Sequence, residues 1–347
     1  MNEEDKIDFV LPWVDSSDLS WQEEKGKYAL NSTSHDTENN TRYRDANTLR
    51  YVLRSIEKNC PWYHKIYLIT TGHYPRWLDI HHPKIELITH DDIFPDNNDL
   101  PVFNVNAIEM NLVNIKGLSE KFVYLNDDTI IWKYLEIDRF FKNNKPVDFF
   151  YHGWLPRGRV YKLVRSSDVW VDAILNNIHL INNEVSLGKM SYSQYFHHSY
   201  GLKQKISNFL YRFLYKKVFW INHWHHPQPY VKQNLKYVSS IFSKEMKETS
   251  RHRFKLNTDI TQYLYRYWHL MTGDFEPHNY DDGYVVRMNC FQQMKDILEE
   301  IKYGDTFSFV CFNDQMNDIS DSEFQEVVAM LEQSLKEKFK QKASFEF

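Results

Sequence analysis

The stretch DANTLRYVLRSIEKNCPWYHKIYLIT, residues 45–70, contains a helical pattern and a strand pattern in immediate succession. Asp45 offers an N-cap, Leu49, Val52, Leu53 and Ile56 recur on one helical face, and the run stops before Cys60-Pro61. KIYLIT, at 65–70, then reads as a buried strand. Outward from this unit, residues 7–11, 84–89 (KIELIT) and 122–125 are further apolar runs of strand length, and a second helical pattern covers 105–115. Strand, helix, strand in that rhythm predicts an α/β chain with a Rossmann-like, mostly parallel sheet and helices on both faces.

After about residue 148 the texture changes to long helical patterns at 168–181, 195–219, 230–247 and 259–271. They predict a helical insertion over 151–304, set between an α/β part at 1–150 and a closing part at 305–347. The closing part reads as a strand at 306–312 (TFSFVCF) and an amphipathic helix at 322–341 capped by Ser322. Residues 28–44 are polar and aperiodic, as expected of a lid over a site.

Composition narrows the classes. Of 347 residues, 42% are hydrophobic and 16% aromatic, so the chain can bury a core, and the net charge of −5 gives no reason to expect a general nucleic-acid binder. No stretch approaches the roughly 20 apolar residues of a membrane helix, and the start, MNEEDKIDFV, lacks the basic and apolar regions of a signal peptide. A cytoplasmic location is therefore expected. Cys60, Cys290 and Cys311 lack C-x-x-C spacing and read as reduced thiols, which leaves the sequons at Asn31 and Asn39 idle. Residues 203–220 mix Lys and Arg with Phe, Leu, Tyr and Trp, a composition that fits either a membrane-surface segment or a helix packed on the core.

In an open parallel sheet, ligands bind outside the carboxyl ends of the strands. Three strands here run into oxygen-rich residues: the first reaches Asp15 and Asp18 just past Trp13, another reaches Asn126, Asp127 and Asp128, and the last reaches Asn313 and Asp314. Such clusters suit magnesium or manganese bound with a substrate phosphate, although Asp and Asn also follow strands simply because they form turns. NHWHHPQPY, at 222–230, concentrates His223, His225 and His226 beside a proline turn that opens a helix. Three His within four positions are poorly spaced for zinc, which leaves a general base or a His-rich surface loop. Arg42, Arg44 and Arg50 flank the first helix, and RHRFK carries Arg251, Arg253 and Lys255. Both groups suit phosphate clamping, and both suit solvated faces.

Taken in order, IDFVLPWVDSSD (7–18), RYRDANTLRYVLRSIEKNCPWYHKIYLITTG (42–72) with ITHDDIFP and YLNDD, NHWHHPQPYVK with TSRHRFKLNTD, and CFNDQMND resemble the four motif regions of the Stealth family. That family comprises bacterial capsular polysaccharide phosphotransferases and the catalytic subunit of animal N-acetylglucosamine-1-phosphotransferase. The resemblance implies transfer of a sugar 1-phosphate from a UDP-sugar to a hydroxyl of a growing polysaccharide, with release of UMP. It implies catalytic roles for His225, Asp127 and Arg253, and a magnesium ion held by Asp128, Asn313 and Asp314. Substrate contacts fall to Trp13, Asp15, Asp18, Arg42, Arg44, Arg50, Asn126, His226 and Lys255. Lys255 stands where the animal enzymes carry Arg and so lacks the bidentate fork, and Asp15 stands where they carry Asn. The implied place of work is the inner face of the cell membrane, with peripheral contact. Two other readings remain open at this level: a metal-dependent glycosyltransferase that releases UDP, and a non-catalytic carbohydrate-binding protein that stacks sugars on its Trp and Tyr side chains.

Overall fold

The computed structural model describes residues 6–30, 44–153, 169–185, 188–223, 225–288, 290–302, 306–316 and 319–347. In chain order the strands are β1 (Ile7–Pro12), β2 (Ile66–Thr70), β3 (Ile85–Thr89), β4 (Lys121–Tyr124), β5 (Thr129–Ile131), β6 (Phe141–Lys142), β7 (Lys145–Asp148), β8 (Gln228–Val231), β9 (Glu276–Pro277), β10 (Gly283–Met288) and β11 (Phe309–Asp314). The main sheet has the order β3-β2-β1-β4-β8, parallel except for β8, which runs antiparallel to β4.

Apart from the buried Asp8, β1 is apolar without alternation because both its faces are covered. Val10, Phe122 and Tyr124 point to a layer containing the helices Val169–Glu184, Lys232–Ile241 and Tyr263–Thr272. Phe9, Leu11, Val123 and Leu125 point to the other layer, where the helix Leu49–Asn59 and the C-terminal helix Asp321–Lys338 pack. Helices therefore cover both faces, as the α/β reading predicts.

The chain leaves β1 for β2 and β3 on one side and later returns to β4 on the other. The crevice between the carboxyl ends of β1 and β4 is thus the topological switch point, where such sheets bind ligands.

Several boundaries differ from the sequence reading. The pattern at 105–115 is a short helix, Val105–Met110, followed by a tighter turn at Leu112–Asn114. The pattern at 195–219 is broken: the helix Leu202–Leu210 continues into one wide turn, Tyr211–Tyr215, and stops at Lys216, which adopts a left-handed conformation. The last helix is capped by Ser320 rather than Ser322, through a bond from Glu323 N to Ser320 Oγ of 3.3 Å.

The segment 151–304 carries the expected helices, and it also contributes β8 to the main sheet and β10 to a second sheet of order β10-β11-β5. QPYV reads as a turn because of Pro229, but an edge strand tolerates a proline, and Tyr230 is buried against Phe122. β11 begins at Phe309 and runs through Asp314, parallel to β10 and antiparallel to β5. It belongs to the second sheet because its partner is the short run after Asp128, a pairing that no local pattern announces.

Candidate active site

The β4–β8 register sets Tyr124 opposite Gln228. Because the strands are antiparallel, the residues before β8 emerge where those after β4 emerge, and His225 and His226 face Asn126, Asp127 and Asp128 across one edge. β11 brings its own residues to the same place: Cys311 is opposite Thr129, and Phe312 N donates to the Asp128 carbonyl at 2.9 Å. One ligand atom each of Asp128, His225 and Cys311 lie within 4.8 Å of one another. Tyr124, Asn126, Thr129, His225 and Gln262 line a small pocket of about 20 Å³ there.

Beside it, a cleft of about 660 Å³ opens at the end of β1, walled by Trp13, Asp15, Arg44, Asp45, Arg50 and Trp77 among others. Asp45 lines this cleft and lies within electrostatic range of Asp127. Its Oδ2 accepts from Trp13 Nε1 at 3.2 Å, and its Oδ1 accepts from Asn47 N at 2.7 Å. Burial raises the Asp45 carboxyl above its ordinary value, and Asp15 adds to the shift. Burial likewise pushes Asp127 well up, reinforced by the charges of Asp128 and then Asp45. Four carboxylates, Asp15, Asp45, Asp127 and Asp128, thus share one field. A hard divalent cation on the oxygens of Asp127 and Asp128 would relieve that repulsion, so the donor set fits magnesium. Cys311 does not compete as a ligand for such an ion, because burial and then Asp128 keep its thiol protonated and bonded to that carboxylate.

Asp314 reaches this edge but is engaged elsewhere. Its Oδ2 accepts from Arg44 Nε at 3.0 Å, and its Oδ1 accepts from Arg44 Nη2 at 3.1 Å and from Met316 N at 2.9 Å. Arg44 also donates to the Met316 carbonyl at 2.8 Å and lies over the Phe324 ring. The pair fixes Arg44 on the cleft wall, and Asp314 acts as its anchor. Asn313 sits opposite Arg287 in β11. Arg50 stacks over Trp77, and its buried Nε makes no hydrogen bond among the described residues but lies 3.7 Å from Glu346 Oε2 in an ion pair. Asp15 folds a turn through bonds from Ser17, and its backbone N–H donates to His73 Nε2 at 2.8 Å. Asp18 caps the helix Leu19–Ala29 by accepting from Trp21 N at 2.8 Å, a structural role. Arg42 and most of the expected lid at 28–44 lie outside the described residues.

The histidines divide by environment. His223 packs on Tyr263 and Trp170, and burial, then Arg266, pulls it down to about 3. His226 packs on Phe309, and burial, then Arg139, pulls it down to about 4. Its Nδ1 lies 2.8 Å from the Pro227 carbonyl. Both are neutral rings held by packing. His225 differs: its buried Nε2 has no hydrogen-bond partner among the described residues. The loop is supported from below, since Arg266 Nη1 donates to the Asn222 carbonyl at 3.1 Å while its other nitrogens clamp Asp148.

Arg253 donates to the carbonyls of Asn98 (2.7 Å) and Leu100 (2.9 Å) and stacks over Tyr28. The structure thus ties it to the 98–100 turn rather than to the Asp128–His225 group. Lys255 acts electrostatically on Glu109, whose carboxyl accepts from Tyr124 Oη at 3.0 Å and from Gln262 N at 3.0 Å and is pushed by burial up to about 7.

Two residues at the site escape the sequence reading. Asp45 has the sequence of a helix cap, whereas Thr48 occupies that position. Cys311 reads as an inert strand thiol. The one signal for Asp45 is that it stands four residues ahead of Leu49, farther from the helix start than a cap should be.

Comparison with known proteins gives a consistent result. Residues 5–33 match Stealth protein conserved region 1, and residues 42–149 match Stealth protein conserved region 2. A capsular polysaccharide phosphotransferase of Streptococcus pneumoniae, WcwK, is 33% identical over 353 residues, covering 100% of this chain and 99% of its own. The exopolysaccharide phosphotransferase cps2G of Lactiplantibacillus plantarum is 32% identical over 98% of this chain and 96% of its own. The receptor polysaccharide phosphotransferase WefC of Streptococcus gordonii is 31% identical over 99% of each. Among solved structures, the galactosyltransferase LgtC covers 93% of this chain and 95% of its own, at 12% identity and a TM-score of 0.35, a likeness too low to carry an argument.

Proposed function

The chain belongs to the Stealth family, and from that premise we propose that it is a phosphotransferase that moves a sugar 1-phosphate from a UDP-sugar to a hydroxyl of a growing capsular or cell-surface polysaccharide. The observation that carries this reading is the meeting of Asp128 and His225 beyond the carboxyl end of β4, with Asp127 in the same electrostatic field and a cleft of about 660 Å³ walled by Arg44 and Arg50 at the end of β1.

In this reading the cleft takes the nucleotide part of the donor. Arg44, oriented by Asp314, and Arg50, on the same cleft wall, meet the phosphates. Asp127 and Asp128, next to Asn126, would hold magnesium, which when bound would supply charge neutralisation on the pyrophosphate. His225 takes the proton of the acceptor hydroxyl at Nε2. The acceptor oxygen forms the new bond to the sugar-bearing phosphorus, the pyrophosphate P–O bond breaks, and UMP leaves. Arg253 and Lys255 support the wall that positions the acceptor rather than touching the reacting atoms. The enzyme works in the cytoplasm, against the membrane where the polymer grows.

The test is the identity of the nucleotide. Purified protein incubated with a panel of UDP-sugars, magnesium and capsule oligosaccharides should release UMP and form a phosphodiester. Release of UDP with a new glycosidic bond would replace this reading with glycosyl transfer.

A further inference from the structure

The helix Leu202–Leu210 is built inside out. An ordinary surface helix buries its apolar stripe and shows its polar face to water. Here the buried positions are Gln204, Ser207 and Asn208, while Leu202 (76%), Ile206 (43%), Phe209 (53%) and, in the following turn, Phe213 (53%) and Leu214 (66%) are exposed. The exposed positions 202, 206, 209 and 213 recur at helical spacing and form one stripe, with Phe209 and Phe213 in contact.

The inward polar face is specific. Gln204 Nε2 and Asn208 Nδ2 donate to the Phe150 carbonyl at 3.0 and 2.8 Å, Asn208 Nδ2 also donates to the Tyr195 carbonyl, and Asn208 Oδ1 accepts from His152 N. Ser207 Oγ donates to the His152 carbonyl. These bonds satisfy backbone groups that the 150–153 chain leaves open, and they fix which way the helix faces. The apolar stripe outside is therefore imposed by the fold.

Charge identifies what covers it. No Asp or Glu occurs between Glu184 and Glu245, in a chain whose net charge is −5. Lys203 begins the stripe, Lys216 and Lys217 end it, and all three are exposed. Apolar side chains flanked by Lys, in a segment without a single carboxylate, match an anionic lipid surface, where the rings enter the headgroup boundary and the ammonium groups meet phosphates. We propose that residues 202–217 dock this protein onto an anionic membrane surface. The docking segment leads within a few residues into the loop that carries His225, so docking would also present the site close to the lipid surface.

The experiment is co-sedimentation of the full chain with vesicles of phosphatidylglycerol and phosphatidylcholine in about equal parts, against phosphatidylcholine alone. The chain should pellet with the anionic vesicles and be released by salt. The variant Lys203→Gln/Lys216→Gln/Lys217→Gln should bind roughly a hundredfold more weakly. Phe209→Ser/Phe213→Ser/Leu214→Ser should lose binding while keeping its unfolding temperature and its turnover on a short soluble acceptor. A Leu214→Trp variant should shift its emission to the blue on anionic vesicles only. Equal pelleting with both vesicle types, full binding by the serine variant, or a dimer that the serine variant abolishes in a protein that ignores vesicles would each overturn the proposal.

Discussion

Asp148→Asn removes one charge from the most enclosed ion network among the described residues. The carboxylate accepts from Arg266 Nε at 2.9 Å, from Arg266 Nη2 at 2.8 Å and from His269 Nε2 at 2.8 Å. Arg266 is 1% exposed, so in the variant its guanidinium stays buried without a counter-charge. Breaking a buried pair in this way costs about 3–5 kcal/mol, out of a total stability of about 5–15 kcal/mol. Urea unfolding followed by Trp fluorescence should therefore show a much lower midpoint with an unchanged slope.

Two further arms isolate the cause. Asp148→Asn combined with Arg266→Met should recover part of the loss, because no orphan charge remains. The pH dependence supplies the second. Burial alone would raise the Asp148 carboxyl, but Arg266 and then His269 outweigh it and hold it well below 3.8. A depressed carboxylate contributes stability that is present above its unfolded value and is lost as pH falls through the folded one. Wild type should hence lose stability below about pH 4 more steeply than the variant. A single-variant loss under about 1 kcal/mol, or a double variant as costly as the sum of the singles, would refute the orphan-charge argument.

His225→Asn should cut turnover by roughly 10²- to 10⁴-fold and leave UDP-sugar binding with magnesium nearly intact; a parallel loss of donor affinity would make His225 a ligand instead of a base. Asp127 and Asp45, whose carboxyls are raised in the fold, contribute stability at low pH that is lost as pH rises through their folded values. Millimolar magnesium should restore it, so the rise in unfolding temperature on adding the ion should be larger near pH 8 than near pH 5, and Asp127→Asn should flatten that difference; the same rise at both pH values in wild type would remove these carboxylates from the ion.

The parts of the fold legible in the sequence are those set by local periodicity. β1 to β4 and the helix Leu49–Asn59 bury continuous or helically spaced apolar residues, and that pattern exists before any long-range contact forms. β8 was hidden because its four residues include a proline, and because a strand that short is stabilised by its partner rather than by propensity. The same holds for β5, three residues long, which exists by virtue of β11. At the site, carboxylates after strands were legible because the strands were. That Asp314 holds Arg44, and that Asp45 faces Asp127, depends on loop geometry that spacing does not encode.

The site draws Asp45 from one part of the chain, Asp128 from a second, His225 from a third and Cys311 from a fourth, with β11 as the strap that holds the last in place. During synthesis, at roughly 5–20 residues per second, Asp128 leaves the ribosome many seconds before Cys311 does. A nascent chain thus carries its acidic residues long before β11 can pack against them. The edge where Asp128 meets His225 is therefore among the last parts of the fold to be closed.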